Sequence, residues 1–411
     1  MMNVLSVVSA LKLGGGENRI LNLARGIDRT RFRHTVVSLF SPHPDQPGPK
    51  GSLLHEFRAA GIDVVDLGVP PPGIVQASRP VKVASTAATL ATIVARLRKL
   101  IATSRADLVD AHLETSLYTG VPAAVSVGVP ATVTLYSEVG IWRMLDRGLR
   151  QALLPGMRRF SLRKCSALFT DSEARSNELS GFIGDGAPPV HVIPNGVRMR
   201  PPDRTRAEVL AGLGVPTDTR ATIIGQVAGL VPFKGQDVLI EAAAHVIKKG
   251  HDVRVLCIGE NRLGGGYPSE LRAKAERLGM SDRVVITSYP GNIADVWSVI
   301  DVHVHASRVD SMPNAIIEGM SLGKPAVVTA VGAVPEHVTH GETGYVVPAG
   351  DPLAFADALS HLLENRQLAA KFGAAAQRRY EERFTPEKTA RQIGRVFEEI
   401  ILRHRAREEV A

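Results

Sequence analysis

The chain of 411 residues has two cysteines, Cys165 and Cys257, and aromatic residues make up 5% of it. The cysteines are far apart and share no CxxC or Cys/His ligand spacing, which excludes a disulfide framework and a structural zinc site and fits a reducing cytosol. Few aromatics, no stacking motif and no helix-turn-helix pattern argue against nucleic acid as a partner. No run reaches the ~18 to 20 apolar residues that a bilayer span needs, and the start, MMNVLSVVSALKLGGG, lacks the basic n-region and cleavage pattern of a secretory leader. Asp-x-Asp, HExxH, GxSxG and Walker A sequences are missing too, so metal hydrolysis, serine hydrolysis and NTPase chemistry lose their signatures.

What is present is ordinary for a soluble globular protein: 44% apolar and 22% charged residues. The length exceeds what one hydrophobic core supports, so two domains are expected. The net charge of +8 is uneven. Residues 1–200 hold 24 Lys and Arg against 15 Asp and Glu, and residues 201–411 hold 25 against 26. The basic half suits an anionic partner, such as a membrane surface or a phosphorylated acceptor, or is a solvated face that aids solubility. Arg143, Arg147, Arg150, Arg158, Arg159, Arg163 and Lys164 interleave with Trp142, Leu145, Leu149, Leu153 and Phe160. Such a helix lies on an anionic membrane or packs on a sheet.

Strand-like runs alternate with helical ones: VLSVV (4–8), HTVVSLF (34–40), DVVDL (63–67), DLVDA (107–111), ATVTLY (131–136) and SALFTDS (166–172). After VIPNGVRMRPPDR (192–204), which reads as a linker, a second series follows: ATIIGQVA (221–228), VRVLCIG (253–259), RVVITSY (283–289), VHVHAS (302–307) and AVVTA (326–330). This predicts an α/β protein of two doubly wound domains, each on a parallel sheet. A charged helix from about Thr385 carries Ile393, Val396, Phe397, Ile400 and Ile401 near helical spacing and packs on a domain surface.

Four stretches carry chemistry. GLVPFKGQ (229–236) puts Lys234 at the first turn of a helix, where a cation opposes the dipole unless a phosphate sits alongside; the plainer alternative is an exposed lysine in a common turn. Asp310 and Glu318 flank seven residues after VHVHAS, with Ser311 and Asn314 able to cap the following helix and its free amides able to bind phosphate or sugar. Glu318, among Ile316, Ile317 and Met320, is placed to accept from a ribose diol; otherwise it occupies a solvated helix face while Asp310 caps a turn. GGG (14–16) permits close backbone approach to a ligand but is not GxGxxG, so dinucleotide binding is unsupported. His112, Tyr136 and Glu138 fall at carboxyl ends of strands, where α/β domains bind ligands, although a lone histidine is as readily structural.

Together, GGGENRILNLA (14–24), DAH (110–112), TLYSE (134–138), VIPNGV (192–197), GLVPFKG (229–235), CIGEN (257–261), DSMPNAIIEGMSLGKPAVVT (310–329) and GAVPEHV (332–338) resemble the family 4 retaining glycosyltransferases. The resemblance implies the GT-B fold: two Rossmann-like doubly wound domains facing a central cleft. An acceptor-binding domain would span 1–200 with a returning helix at about 386–411, and a nucleotide-sugar-binding domain 201–385. It implies that Lys234 contacts the donor diphosphate and Glu318 holds the ribose. Asp310 and the segment Ser311, Met312, Pro313, Asn314 and Ala315 would face the donor sugar, Ser288 would also line the donor site, and Gly15 and Gly16 would lie near phosphate and acceptor. Lys234, Asp310, His112 and Tyr136 are the catalytic candidates.

The chain departs from the family in three places. Gly229 stands where Arg is usual, leaving Lys234 alone or with Arg262 as substitute; Asp310 is one methylene shorter than the usual Glu; Tyr136 replaces a histidine. The implied activity is transfer of a sugar, with retention, from a UDP- or GDP-linked donor to a hydroxyl of a polysaccharide, lipid-linked glycan or small-molecule glycoside. No cofactor and no metal is implied, and the setting is cytoplasmic or peripheral at the inner membrane face. The competing readings are a sugar-nucleotide-binding protein without turnover and an epimerase of the same fold.

Overall fold

Short apolar runs that alternate with longer amphipathic ones bury strands on both faces beneath helices, and a computed structural model shows this over residues 1–11, 15–40, 53–70, 79–135, 149–261 and 264–410. Tyr136, Glu138 and Arg262 lie outside these residues, as do Trp142, Arg143, Leu145 and Arg147. The chain divides into two units, Met1–Gly196 with Pro386–Ala411, and Val197–Thr385. No helix among the described residues is long and apolar enough to cross a membrane.

The first unit holds β1 (Met2–Val8), β2 (Phe32–Phe40), β3 (Asp63–Val69), β4 (Leu108–His112), β5 (Ala131–Thr134), β6 (Ala167–Thr170) and β7 (Val190–Val192). They form one parallel sheet in the order β3-β2-β1-β4-β5-β6-β7. In the second unit β8 (Thr222–Val227), β9 (Val253–Ile258), β10 (Val284–Thr287), β11 (Val302–His305), β12 (Ala326–Thr329) and β13 (Tyr345–Val347) are parallel in the order β10-β9-β8-β11-β12-β13. Both units are Rossmann-like. The winding reverses between β1 and β4 in one sheet and between β8 and β11 in the other, and such reversal points open a crevice at the strands' carboxyl ends. The two strands with no counterpart in the apolar pattern, β7 and β13, are three-residue edge strands, too short to show a period.

The helix Pro386–Glu408 belongs to the first unit, where Ala390, Ile393, Phe397 and Ile401 join Val4, Leu23, Ile27 and Phe32 in one buried cluster. It packs on the helix Gly15–Gly26 so closely that a Cβ on Gly26 would stand 2.8 Å from that of Ala390. Phe397 meets Phe169 edge to face at 5.9 Å. Truncating it empties a site that cannot collapse between two elements. Phe397→Ala is expected to lower the stability of the first unit by roughly 3–5 kcal/mol, read as an earlier first transition in urea unfolding followed by circular dichroism.

Candidate functional site

In the second unit the loops after β8 and β11 meet at the reversal point. After β8 the chain makes a single turn, Pro232–Lys234, and passes through Gly235 at φ +69° into the helix Gln236–Lys248. A Cβ on Gly235 would lie 2.0 Å from the Ala306 carbonyl oxygen, so only glycine lets the loops approach this closely. The Arg308 amide donates to the Phe233 carbonyl at 2.8 Å, and Gln226 Nε2 holds the Lys234 carbonyl at 2.6 Å. On the other flank the Arg308 guanidinium clamps Asp237 through two bonds of 2.8 and 2.7 Å. A groove of about 610 Å³ opens beside that clamp, lined by Phe233, Tyr267, Lys274 and Val309 among others, but not by Lys234, Asp310 or Glu318.

Lys234 is thereby set against Asp310, with Nζ 2.5 Å from Oδ2. The same oxygen accepts from His305 Nε2 at 2.9 Å and from the Ser307 hydroxyl at 3.3 Å, while Oδ1 accepts from the Ser311 amide at 3.0 Å. Burial pushes the Asp310 carboxyl upward, but the His305 ring and the Lys234 ammonium outweigh it and hold it well below the usual carboxylate range. The loop is gripped from β12 as well. The Thr329 hydroxyl donates to the Ser307 carbonyl at 2.7 Å, and the Ala333 amide to that of Ser311, also at 2.7 Å. Gly332, at φ +50°, leaves 2.2 Å between a Cβ and the Asp310 carbonyl oxygen.

The helix Asn314–Ser321 follows. Of the capping candidates Ser311 and Asn314, neither holds the N-cap position, which is Pro313; Asn314 is the first residue of the helix itself. The side chain of Met312 is spent in the core with Ile316, Ile317 and Met320. Glu318 is half-buried, and its Oε2 accepts from Trp297 Nε1 at 2.9 Å. Burial raises the Glu318 carboxyl above its ordinary value, and the Trp297 bond only partly offsets this. Trp297 in turn stacks edge to face on His303 at 4.9 Å. Ser288 is exposed just after edge strand β10, with β9 and β8 between it and β11. The Cβ of a residue at Gly229 would have open contact, 3.6 Å from the Glu260 carbonyl oxygen.

Gly15, Gly16 and His112 belong to the first unit. Gly15 opens the helix after β1, and His112 ends β4, so both flank that sheet's reversal point. His112 is 1% exposed, with Nε2 2.7 Å from Asp110 Oδ2, and Thr132 donates to Asp110 Oδ1 at 2.8 Å. Burial pushes the Asp110 carboxyl upward, and the His112 partnership overcomes it and lowers it. Nearby His34, bonded to Ser6 at 2.7 Å, is brought down to about 4 by burial. Leu113, immediately after His112, has φ +66°, a left-handed conformation that costs a bulky side chain about 1–3 kcal/mol and tends to mark functional turns.

His305, Ser307, His303 and Trp297 were not among the sequence candidates. The readable signal was VHVH: two histidines two apart share one face of a central parallel strand, where apolar residues are the rule.

Two Rossmann-like domains of this strand order define the GT-B architecture. The Anabaena protein HepE, crystallised with UDP and glucose, superposes with a TM-score of 0.76 over 97% of this chain and 100% of that one, at 22% identity. Residues 13–200 match the family model "Glycosyltransferase Family 4" and residues 221–365 the model "Glycosyl transferases group 1". The chain belongs to this glycosyltransferase family. Among curated relatives, the D-inositol 3-phosphate glycosyltransferase of Streptomyces scabiei is 30% identical over 285 residues, covering 66% of this chain and 63% of that protein. The lipopolysaccharide core mannosyltransferase LpsB of Rhizobium meliloti is 28% identical over 255 residues, covering 60% and 69%. The chain spans about half to two thirds of the length of the inositol 3-phosphate glycosyltransferases it matches.

The raised carboxyl of Glu318 gives a signed expectation. Ionised Glu318 costs the folded state stability above its own raised pKa, and this cost vanishes as pH falls to the ordinary carboxylate value. Glu318→Gln keeps an oxygen for Trp297 and removes the charge. It should melt about 2 °C higher than the parent at pH 7, with the difference closing toward pH 4.5, in parallel thermal scans.

Proposed function

We propose that the protein is a retaining glycosyltransferase that moves a sugar from a nucleoside diphosphate sugar to a hydroxyl acceptor. The observation that carries this is Lys234, anchored at the β8/β11 reversal point against Asp310, on the same unit and sheet edge as a half-buried Glu318 with one oxygen on Trp297. The ammonium has three N–H groups, so after one goes to Asp310 two remain for diphosphate oxygens, and Glu318 keeps acceptor capacity for a ribose diol. The bond between the anomeric carbon and the β-phosphate oxygen breaks on the face that the acceptor hydroxyl attacks. The hydroxyl proton passes to the departing phosphate, whose growing charge Lys234 stabilises. In this reading residues Ser311 to Ala315 face the donor sugar, Gly15 and Gly16 lie near phosphate and acceptor, and His112 acts in catalysis. No metal takes part, and UDP- or GDP-linked donors fit best, HepE having been crystallised with UDP.

Transfer assayed over a panel of UDP- and GDP-sugars, with the anomeric configuration of the product read by NMR, tests the reading. Lys234→Ala and Glu318→Ala should each lower kcat/KM for the donor about 100-fold or more with melting curves intact. Tight binding without turnover on any acceptor would instead favour a binding protein, and conversion of the donor without acceptor an epimerase.

The enzyme is proposed to work in the cytoplasm, with the basic first unit touching an anionic membrane. In the helix Leu149–Arg163, Met157 and Phe160 are 50% and 64% exposed beside Arg159 and Lys164, and Lys164 lies over the Phe160 ring at 5.5 Å. Arg158 is buried, with its guanidinium over Phe182 at 5.5 Å; Arg159 is exposed, lies over the same ring at 5.6 Å and donates to the Phe182 carbonyl at 3.1 Å. Co-sedimentation with phosphatidylserine vesicles is expected at low salt and should fade above a few hundred millimolar. No binding at low salt overturns this contact.

A further inference from the structure

We propose that His305 is a positioning residue for donor binding: by holding the Asp310 carboxylate, it fixes where the Lys234 ammonium stands. The proposal rests on the donor-site reading of Lys234 given above. His305 is buried on β11 and, among the described residues, makes its side-chain bonds through Nε2 alone, to Asp310 Oδ2 at 2.9 Å and to the Ser307 hydroxyl at 3.0 Å, its Nδ1 having no hydrogen-bond partner there. The ring is therefore committed to one task. Asp310 is 12% exposed and Lys234 18%, so this pair stands at the lip of the site while His305 stands beneath it. Without His305, Asp310 Oδ2 keeps only Lys234 and a long bond to Ser307 at 3.3 Å while Oδ1 keeps the Ser311 amide at 3.0 Å, so the Oδ2 side of the carboxylate loosens about χ2 and carries the ammonium with it.

An aspartate carboxylate stays within reach of His305 and Lys234 at once, and in this structure it serves as the counter-ion of Lys234. The second arm of β11 works in parallel: His303, on the same strand face, packs on Trp297, which bonds Glu318. Gly319 makes room for it, since a Cβ there would lie 2.8 Å from His303 Nδ1. The two acidic side chains are thus each backed by one histidine of VHVH. For Asp310 the backing is a direct bond to a group that is itself bonded to the proposed phosphate ligand, which is the stronger coupling.

The test measures UDP and GDP binding to the full chain by calorimetry. His305→Leu should weaken nucleoside diphosphate binding about tenfold, the worth of one hydrogen bond to a charged group. His305→Asn, whose amide ends near the Nδ1 position, should behave like Leu, whereas His305→Gln, whose amide reaches the Nε2 position, should restore binding to within about threefold. In a Lys234→Ala background His305→Leu should cost nothing further, because the group it positions is gone. Parental affinity in His305→Leu and His305→Asn, or an equal loss in both backgrounds, overturns the proposal. If the parent protein binds neither nucleotide, the donor-site reading falls as well; if it binds and the His305 variants match it, only the positioning role falls.

Discussion

A single carboxylate oxygen, Asp310 Oδ2, organises the second unit's candidate site. It is shared by a lysine from the loop after β8, a histidine from β11 and a serine from the loop after β11, and its twin oxygen is taken by the next backbone amide. A buried charge is expensive unless it is paired and fully bonded, and here four donors meet that cost. The arrangement keeps Asp310 ionised far into acid and so keeps an ammonium in a fixed place at the sheet's edge. Everything around the pair serves the approach of the two loops. Gly235 gives way to the Ala306 carbonyl, Gly332 to the Asp310 carbonyl, and Arg308 ties its own loop back to Asp237.

The fold supplies the place for such a cluster. In a doubly wound sheet neighbouring helices leave on opposite faces only where the strand order reverses, so backbone and side chains can converge there without being covered. Both units use that position. In the second it holds Lys234 and Asp310, with Glu318 one helix further on. In the first it holds the glycines of the β1 turn and the buried pair of Asp110 and His112, followed by a leucine in a left-handed conformation. Neither of the two free cysteines takes part: both are buried, and burial holds their thiols well above the ordinary range.

Much of this is legible in the amino-acid sequence. Lys234, Asp310 and Glu318 stand out because charged residues at strand ends and in an apolar helix are costly without a purpose, and the alternation of apolar runs marks eleven of the thirteen strands found among the described residues. Edge strands β7 and β13 escaped because three residues show no period. The helix start itself falls to Pro313, between Ser311 and Asn314, which spacing along the chain does not show. His305 and Trp297 were missed for a different reason. Their importance comes from partners 5 and 21 residues away, and VHVH by itself does not say which face of the strand lies under the site.

The sequence by itself determined the class: two parallel α/β units, a lysine after the first strand of the second unit, and an acidic pair eight residues apart after its fourth. Those features are local, set by period, by turn residues and by spacing along the chain. Only the tertiary structure decided that Asp310 is the counter-ion of Lys234, that a histidine from beneath holds it, and that Glu318 is raised by burial and steadied by a tryptophan. These are pairings across 76, 5 and 21 residues, created when strands take their order in the sheet. The charge state and direction of each side chain follow from that order, and no linear pattern encodes it.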